Sequence, residues 1–472
     1  MFTLTAYNIL NAINGTSVNI NNIYINVFNV TTNDAQITKN SAFVAIKGKN
    51  FDGHSFVKNA ILKGALFAIT EKKIANFPQI VVKNTTTALL KIAALNRSLF
   101  SGKLAAITGS VGKTTTKDML AQILTSSFKT LKTHENLNNE IGVSQTLLQL
   151  DPKFTAAVVE MGMSNLGEIE TLSKTASPDI GIITNIGSSH MKFLKTKENV
   201  LKAKLEILAG MKKEAPLILN GDDEFLQKIK ITNREVVYCG IKNKLATYSA
   251  HNIKQNNMVT TFNLHKKNEF LSEVVLPVIG KHNVLNSLLA IAASSFFKIS
   301  FEKAVKALKI FKPSSMRQNI FKVSGIILVA DYYNASPESV TAAIKTLNEI
   351  STTGRHIAVL GDMLELGEHS KKAHFEIGEL AIKNNVDILL CLGKESKETV
   401  LGAKKLATTL AKNLTIEHFT EKKELINFLK KNVKKNDAVL LKASRKMNFE
   451  EIFNYVFNNN ISNLKGKSNV EK

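Results

Sequence analysis

The sequence has no tryptophan, 7 prolines and 2 cysteines in 472 residues. Cys239 and Cys391 stand far apart and match no metal-ligand spacing, so the sequence predicts neither a disulfide framework nor a zinc site. No window approaches the roughly 18 uninterrupted apolar residues of a membrane-spanning helix. The amino terminus also lacks a basic segment followed by an apolar one. These absences predict a cytoplasmic protein that is not embedded in a membrane.

Positive charge is in clear excess over negative charge. Lys and Arg number 62 against 39 Asp and Glu, which gives a formal net charge of +23. Such an excess raises the hypothesis of a nucleic-acid-binding protein. The basic residues are scattered, however, with no arginine-rich stripe and no aromatic stacking motif beside them. We therefore predict no nucleic-acid partner, because small polyanionic substrates account for the charge equally well.

The alternation of apolar runs and helical patterns divides the chain into three parts. Residues 1–100 mix short strand-like runs with one or two helical patterns, whereas regular alternation occupies 101–311 and again 312–460. Strands that alternate with helices predict βαβ units and a doubly wound, mainly parallel sheet. We therefore predict an α/β fold with a small mixed amino-terminal domain, a central domain with a phosphate-binding loop and a Rossmann-like carboxyl-terminal domain. The polar tail, 461–472, is predicted to be disordered.

A glycine-rich stretch, TGSVGKTTT, lies between an apolar run and a helical pattern. It is shorter than the usual phosphate-binding loop, because Gly109 and Gly112 are only three residues apart. Glycines let several backbone N–H groups converge on an anion, and the following helix adds its positive dipole end. Lys113 supplies a charge for the β- and γ-phosphates, and the Thr114 hydroxyl is a candidate ligand of Mg²⁺. The plainer alternative is a glycine turn before an ordinary helix.

Polar side chains follow two other strand-like runs. Glu160 ends the run AAVVE, and Asn185 and His190 come after GIIT. Ligands of open α/β sheets bind beyond the carboxyl ends of the strands, so we expect these side chains at the same rim as Lys113. A carboxylate suits Mg²⁺, which takes one or two carboxylates together with waters and substrate phosphates. The alternatives are a surface carboxylate for Glu160 and an ordinary loop histidine for His190.

The order of several short stretches resembles that of the Mur ligases, the ATP-dependent amide-forming enzymes of peptidoglycan assembly. The stretches are TGSVGKTTT, EMG, NIGSSH, AKLEI, GKHNVLNS, SSMRQ and DYYNASPES. The shortened glycine loop is itself the form that this family carries. FVAIKGKNFDGHSF, NLNNEIGVSQTLL and VLGDMLELGEHS are similar to the branch that adds D-alanyl-D-alanine to UDP-N-acetylmuramoyl-tripeptide. The resemblance spans nearly the whole chain and implies three domains, ATP, Mg²⁺ and these two substrates; we expect a monomer.

The resemblance also implies roles for individual residues. It implies catalytic roles for Lys113, Glu160, His190 and Lys204, and metal binding by Thr114, Glu160 and His190. Lys204 matches a lysine that several Mur ligases carry as a carbamate, although the sequence alone indicates a solvated helix lysine. The implied ATP-binding residues are Thr108, Gly109, Ser110, Val111, Gly112, Lys113, Thr114, Thr115, His282, Asn283, Asn286, Arg317, Asp331 and Asn334. The implied substrate-binding residues are Lys47, Asn138, Asn139, Lys442, Ser444 and Arg445.

The reaction that the resemblance implies has two steps. The terminal carboxylate of the tripeptide attacks the γ-phosphate of ATP to give an acyl phosphate, which the amine of D-alanyl-D-alanine then attacks. Three alternatives stay open: another amide ligase of the superfamily, a basic ATPase acting on nucleic acid, and a relative that binds without catalysing. The last rests on the triplet Asn33-Asp34-Ala35, where the branch has Asp-Ser-Arg and an arginine contact to the UDP-linked substrate.

Overall fold

The structure is a computed structural model that describes residues 1–48, 51–189, 191–243, 245–256, 258–314 and 316–458. His190, predicted to be catalytic and to bind metal, lies outside the described residues, as does the tail predicted to be disordered. The described chain forms four β-sheets, two of them in the amino-terminal part. Within these ranges we find no helix with both the length and the apolar character needed to cross a membrane.

The amino-terminal unit is a five-stranded mixed sheet with a separate two-stranded ribbon. Its strands are β1 (Leu4–Thr5), β2 (Thr16–Val18), β3 (Asn26–Val27), β4 (Asn29–Thr31), β5 (Ser41–Val44), β6 (Ala65–Thr70) and β7 (Gln79–Val81). Its helices are α1 (Ala6–Ile13), α2 (Val57–Leu62) and α3 (Thr85–Ser98). The sheet order is β2-β7-β6-β5-β4, in which the β2–β7 pair is antiparallel and the other pairs are parallel.

Helix α3 fastens the amino-terminal unit to the central one. The buried side chain of Asn96 donates to the carbonyl oxygens of Leu147 and Leu150, and the Arg97 guanidinium forms a 2.9 Å ion pair with Asp179. A buried side chain with several charge-assisted or backbone partners holds a fixed geometry. The two units are therefore joined at defined points.

The central unit is a nine-stranded sheet of order β16-β15-β14-β13-β12-β11-β8-β10-β9. Its strands are β8 (Lys103–Thr108), β9 (Thr130–Lys132), β10 (Ala156–Glu160), β11 (Ile180–Ile183), β12 (Leu217–Asn220), β13 (Val236–Gly240), β14 (Tyr248–Asn256), β15 (Val259–Lys266) and β16 (Glu269–Leu276). Its helices are α4 (Lys113–Thr125), α5 (Glu140–Leu148), α6 (Glu168–Ala176), α7 (Met191–Leu194), α8 (Lys197–Leu205), α9 (Lys281–Ser295) and α10 (Phe301–Leu308).

The inner strands β8, β10, β11 and β12 of the central sheet are buried along nearly their whole length because helices cover both faces of the sheet there. Along β10, Val158 packs into one hydrophobic core and Val159 into the other, as the alternation of side chains in a strand requires. From β8 the chain continues to β9 and β10 on one side of β8 and then to β11 on its other side. This reversal of strand order leaves a crevice at the carboxyl ends of the strands. β14 continues the parallel sheet beside β13, and β15 and β16 extend it as an antiparallel meander, which we did not predict from the sequence.

The carboxyl-terminal unit is a six-stranded sheet of order β17-β18-β22-β19-β20-β21, antiparallel only at β17. Its strands are β17 (Asn319–Val323), β18 (Ile326–Ala330), β19 (His356–Gly361), β20 (Ile388–Leu392), β21 (Thr415–Phe419) and β22 (Ala438–Lys442). Its helices are α11 (Pro337–Asn348), α12 (Ser370–Lys383), α13 (Lys397–Thr409), α14 (Lys422–Asn432) and α15 (Glu450–Phe453). The predicted α/β fold is confirmed, whereas the domain boundaries stay a prediction.

Candidate active site

The glycine loop lies between β8 and α4, as the sequence predicted. Gly109 has a φ of 147° and Gly112 a φ of 83°, values that residues with side chains rarely adopt. Space is also short, because a Cβ on Gly112 would lie 2.5 Å from Asn286 Oδ1. The first N–H groups of α4 have no acceptor within the helix and carry the positive end of its dipole. The loop therefore presents a cradle for an anion.

Lys113 folds back over this loop. Its Nζ donates to the carbonyl oxygen of Gly109 at 2.7 Å and to that of Ser110 at 3.3 Å. Burial lowers the pKa of Lys113, and the nearby Glu160 carboxylate opposes that shift. The loop carbonyls thus hold the ammonium group at the position where the sequence predicted a phosphate contact.

Glu160 stands at the end of β10 and is 1% exposed. Its Oε2 accepts a hydrogen bond from the Thr114 hydroxyl at 2.8 Å, and its Oε1 accepts one from Asn138 Nδ2 at 2.9 Å. The predicted metal ligands Thr114 and Glu160 therefore meet, and the predicted substrate residue Asn138 orients the carboxylate. Lys117, which the sequence analysis missed, places its Nζ 3.8 Å from Glu160 Oε2.

Lys204, on α8, is 1% exposed rather than solvated, so the interpretation from the sequence alone is wrong on this point. Burial lowers its pKa well below the usual value, and the charge of Lys113 lowers it further. Glu206 and Glu168 oppose the shift. A buried lysine with a depressed pKa carries a neutral, nucleophilic amine more of the time than a surface lysine does.

Three predicted residues begin α9 on the far side of the cavity. His282 Nε2 and Asn283 Nδ2 both lie 2.8 Å from Gln318 Oε1, and Asn286 Oδ1 accepts from the Thr116 hydroxyl at 3.3 Å. Burial lowers the pKa of His282, so its neutral imidazole donates to Gln318 through Nε2. Gln318 belongs to the carboxyl-terminal unit and had no signal in the sequence.

The carboxyl-terminal unit supplies the opposite wall. Lys442 Nζ forms a 2.9 Å ion pair with Asp331 Oδ2 and donates to the backbone oxygen of Asn334 at 2.7 Å. The Arg317 guanidinium lies 4.0 Å from the centre of the Tyr333 ring, a cation–π distance. Together with the glycine loop, these side chains enclose a cavity of about 410 Å³. Predicted ATP-binding residues from two units thus line one cavity.

The predicted substrate residues divide into two groups. Asn138, Asn139 and Lys442 line the cavity. Lys47, Ser444 and Arg445 are outside its lining. Lys47 forms an isolated bridge with Asp52, the Ser444 hydroxyl accepts from the N–H of Leu364 at 3.0 Å, and Arg445 pairs with Glu450. The contacts of these three residues support local structure.

The loop residues Thr108 and Gly109 also lie behind the cavity rather than in its lining. The Thr108 hydroxyl donates to the backbone oxygen of Met161 at 3.0 Å, which ties β8 to the end of β10. Ser110, Val111, Gly112 and Thr115 line the cavity. The N–H groups of Ser110 and Val111 donate to Asn185 Oδ1 at 3.0 and 2.9 Å. The amides left to meet an anion are therefore those that begin α4.

The amino-terminal triplet Asn33-Asp34-Ala35 forms the start of a short 3₁₀ helix. The Asp34 carboxylate pairs with Lys63 Nζ at 2.8 Å and also accepts from Asn59. Lys63 therefore stands beside the triplet in which the resemblance leads us to expect an arginine. Lysine offers a point charge rather than the planar fork of arginine, so it is not an equivalent replacement.

A glycine loop at the start of a helix, a carboxylate on the adjoining strand and a second α/β unit closing the cavity are typical of an enzyme that acts on a phosphate-bearing substrate. Comparison with known proteins identifies the class further. The profile described as Mur ligase family, catalytic domain, matches residues 26–106, that of the Mur ligase middle domain 107–294, and that of the Mur ligase, glutamate ligase domain, 316–445. The chain belongs to the Mur ligase family, which confirms the predicted family.

Individual relatives match along most of the chain. It is 36% identical over 458 residues to the UDP-N-acetylmuramoyl-tripeptide–D-alanyl-D-alanine ligase of Bacillus subtilis, covering 96% of this chain and 98% of that one. Identity to the Escherichia coli protein of the same name is 33% over 418 residues, covering 87% and 89%. The crystal structure of MurF from Acinetobacter baumannii superposes with a TM-score of 0.88 at 29% identity, covering 98% and 99%. That of MurF from Thermotoga maritima in complex with ADP gives 0.83 at 28% identity, covering 92% and 98%.

Proposed function

We propose that this chain joins D-alanyl-D-alanine to UDP-N-acetylmuramoyl-tripeptide, converting ATP to ADP and phosphate, as a step of peptidoglycan assembly. The observation that carries the proposal is the contact of Thr114 with Glu160 below the glycine loop, in a cavity whose other wall holds Arg317, Asp331 and Lys442. The names of the Bacillus and Escherichia relatives support the choice of substrates.

ATP fits the donors that line the cavity. Its phosphates would meet the N–H groups that begin α4, and Lys113 would offset their charge. His282, Asn283 and Asn286 offer polar groups to the base, and Arg317, Asp331 and Asn334 reach the nucleotide from the carboxyl-terminal unit. The relative from Thermotoga maritima, whose structure contains ADP, supports the assignment.

Mg²⁺ fits the oxygen donors Thr114 and Glu160. The part of the chain that the structure describes has no cluster of three or more His, Cys, Asp or Glu able to hold a metal. The pair of Thr114 and Glu160 suits an ion that takes few protein ligands and completes its shell with waters and phosphates. When bound, Mg²⁺ would neutralise charge on the phosphate oxygens. His190 stays a predicted further ligand.

The reaction brings two anions together, and the residues of the chain reduce their repulsion. An oxygen of the tripeptide carboxylate forms a bond to the γ-phosphorus as the bond to ADP breaks. The amine nitrogen of D-alanyl-D-alanine then bonds to the acyl carbon, phosphate leaves, and the nitrogen loses a proton. Lys113 would shift from the carbonyl of Gly109 to the phosphate, and orientation of the bound groups supplies most of the remaining acceleration.

Lys204 would act as a carbamate in this scheme. Carbamylation needs a neutral amine, and burial lowers the pKa of Lys204 in that direction. The amine nitrogen would bond to the carbon of carbon dioxide and lose a proton, and the resulting anion could orient a metal ion or its waters near Lys113 and Glu168. Nothing else in the chain's proposed chemistry requires this modification.

The decisive experiment measures phosphate release from ATP and Mg²⁺, with each of the two other substrates added or withheld. We expect release that requires both UDP-N-acetylmuramoyl-tripeptide and D-alanyl-D-alanine, with a pentapeptide product identified by mass. Release that is indifferent to both, or that DNA or RNA stimulates instead, would contradict the proposal. A cytoplasmic monomer stays a prediction, which sedimentation and cell fractionation would test.

A further inference from the structure

The rim segment, residues 185–189 after β11, is bonded on one side to the glycine loop. Asn185 Oδ1 accepts from two N–H groups of that loop, and the N–H of Gly187 donates to Ser110 Oγ at 2.8 Å. Ser189 at the end of the segment lines the cavity. A displacement of the rim segment would therefore also move the glycine loop and the wall of the cavity.

On its other side the rim segment meets the carboxyl-terminal unit. The N–H of Ser188 donates to Glu338 Oε1 at 2.7 Å, across 150 residues of sequence. Close by, the N–H of Lys192 donates to the backbone oxygen of Glu365 at 3.1 Å. The rim segment is thus held between the glycine loop and Glu338, and the start of α7 makes a second contact with the carboxyl-terminal unit.

Glu338 is placed where a carboxylate is tolerated. It lies in the first turn of α11, where the positive end of the helix dipole favours negative charge. Its Oε2 is buried and accepts no hydrogen bond from any residue that the structure describes. Removing a carboxylate from water costs free energy unless the carboxylate accepts hydrogen bonds. The hydrogen bond from the N–H of Ser188 therefore offsets part of the cost of placing Glu338 between the central and carboxyl-terminal units.

Gly187 makes room for this carboxylate. A Cβ on Gly187 would lie 2.8 Å from Glu338 Cδ and 3.0 and 3.1 Å from its two oxygens, and these are its three nearest heavy atoms. Gly187 is not among the glycines with positive φ, so alanine at this position strains no backbone. The change Gly187→Ala therefore acts first on Glu338.

We propose that Glu338 is a positioning residue: by bonding Ser188 it couples the carboxyl-terminal unit to the rim segment and, through it, to the glycine loop. It lies outside the lining of the cavity and would not contact substrate. The inference rests on the proposed ligase function and adds that the carboxyl-terminal unit sets the geometry of the loop, besides supplying residues to the cavity.

The test compares Glu338→Ala, Gly187→Ala and the double variant, with Asn348→Ala as the matched control on the exposed end of the same helix. Each of the first two should lower kcat by roughly 10- to 100-fold, the effect of one hydrogen bond to a charged group. The dissociation constant of ATP alone should change by less than about threefold, because Glu338 would not contact ATP and the transition state depends more strictly on the geometry of the loop than ground-state binding does. Asn348→Ala should leave kcat unchanged.

The double variant distinguishes two explanations: that Gly187→Ala acts through Glu338, or that the two substitutions lower kcat independently. Once the carboxylate is absent, the alanine at 187 has nothing to displace, so the double variant should lose no more kcat than Glu338→Ala alone. Losses that multiply would overturn the proposal. So would single variants with normal kcat.

Hydrogen exchange gives a readout that does not depend on turnover. The amide of Ser188 should exchange faster in Glu338→Ala than in the unaltered chain, while the amides of β8 keep their rates. An unchanged rate at Ser188 would also contradict the proposal. If the unaltered chain releases no phosphate with both substrates present, the proposed function fails instead, and exchange still tests Glu338.

Discussion

The hydroxyl of Thr114 donates to Glu160 Oε2 at 2.8 Å, joining the first turn of α4 to the end of β10 across 46 residues of sequence. Asn138 takes the other carboxylate oxygen, so Glu160 is oriented from both sides. Groups that fix the orientation of a ligating carboxylate tune the metal that it binds. In the proposed metal site, Thr114 and Glu160 would therefore act together.

Two substitutions distinguish the effect of the Thr114 hydroxyl group from the effect of the size of its side chain. Thr114→Val keeps the shape but removes the donor to Glu160, and we expect kcat/KM for ATP to fall about 10- to 100-fold with a higher Mg²⁺ requirement. Thr114→Ser keeps the hydroxyl and should retain most activity. Steady-state kinetics over a Mg²⁺ titration measures both. Equal activity of the two variants would remove Thr114 from the metal site.

Lys113→Met should lower turnover strongly while the chain still folds. The ammonium group is the cation that lies over the glycine loop, and losing one preorganised charge contact costs about 100- to 1000-fold in kcat. Lys129→Met, a change at an exposed lysine after the same helix, is the matched control and should leave kcat unchanged. Near-normal turnover in Lys113→Met would refute the phosphate-loop assignment.

Lys204 predicts a dependence on dissolved carbon dioxide. In buffer stripped of carbon dioxide, activity should fall, and bicarbonate should restore it, because the neutral amine is the form that becomes a carbamate. Lys204→Met should lose at least about 100-fold in kcat with or without bicarbonate. The exposed neighbour Lys202 provides the control, Lys202→Met. Indifference of the unaltered chain to bicarbonate would exclude the carbamate.

The same lysine predicts how stability varies with pH. The folded-state pKa of Lys204 is depressed by burial, so the unfolded chain binds more protons at this position between that pKa and the ordinary lysine value of about 10.4. The free energy of unfolding should therefore rise with pH through this window. In buffer free of carbon dioxide, Lys204→Met should be more stable than the unaltered chain at neutral pH. Its free energy of unfolding should also depend less steeply on pH in this window. Urea unfolding at several pH values checks this, and a variant less stable at neutral pH contradicts it.

The ion pair of Asp331 with Lys442 predicts a loss of stability when one partner is removed. Lys442 is 2% exposed and lies 2.9 Å from Asp331, so Asp331→Asn leaves a buried ammonium group without its counter-charge. We expect the free energy of unfolding to fall by about 3 kcal/mol in urea titrations. Lys442→Met added to Asp331→Asn should recover part of the loss. A single-variant loss below about 1 kcal/mol would show that the pair contributes little.

Several elements of the fold were predictable because their signals are local. The run LAAI, the glycine loop and the following helical pattern predict a strand, a turn and a helix, and β8 and α4 are found there. The run AAVVE likewise predicts β10 and the position of Glu160 at its end. The strands β14 to β16 were not predicted, although polar and apolar residues alternate along this half-exposed meander and such alternation indicates a strand.

Three residues near the site, Lys117, Gln318 and Glu338, were not predicted from the sequence. Lys117 follows Lys113 by four residues, so helix periodicity places both on one face of α4, and this pattern could have revealed it. Gln318 and Glu338 could not be found in this way, because the groups that they contact lie 36 and 150 residues away in the sequence.

The sequence by itself determined the order of strands and helices, the glycine loop and the presence of Lys113, Thr114 and Glu160 at the ends of elements. Those features depend on the periodicity and conformational freedom of neighbouring residues. Only the tertiary structure decided that Lys204 is buried, that Ser444 and Arg445 lie outside the cavity, and that Glu338 reaches the rim segment. Burial and pairing of this kind depend on which distant elements pack together, and that is a property of the whole fold.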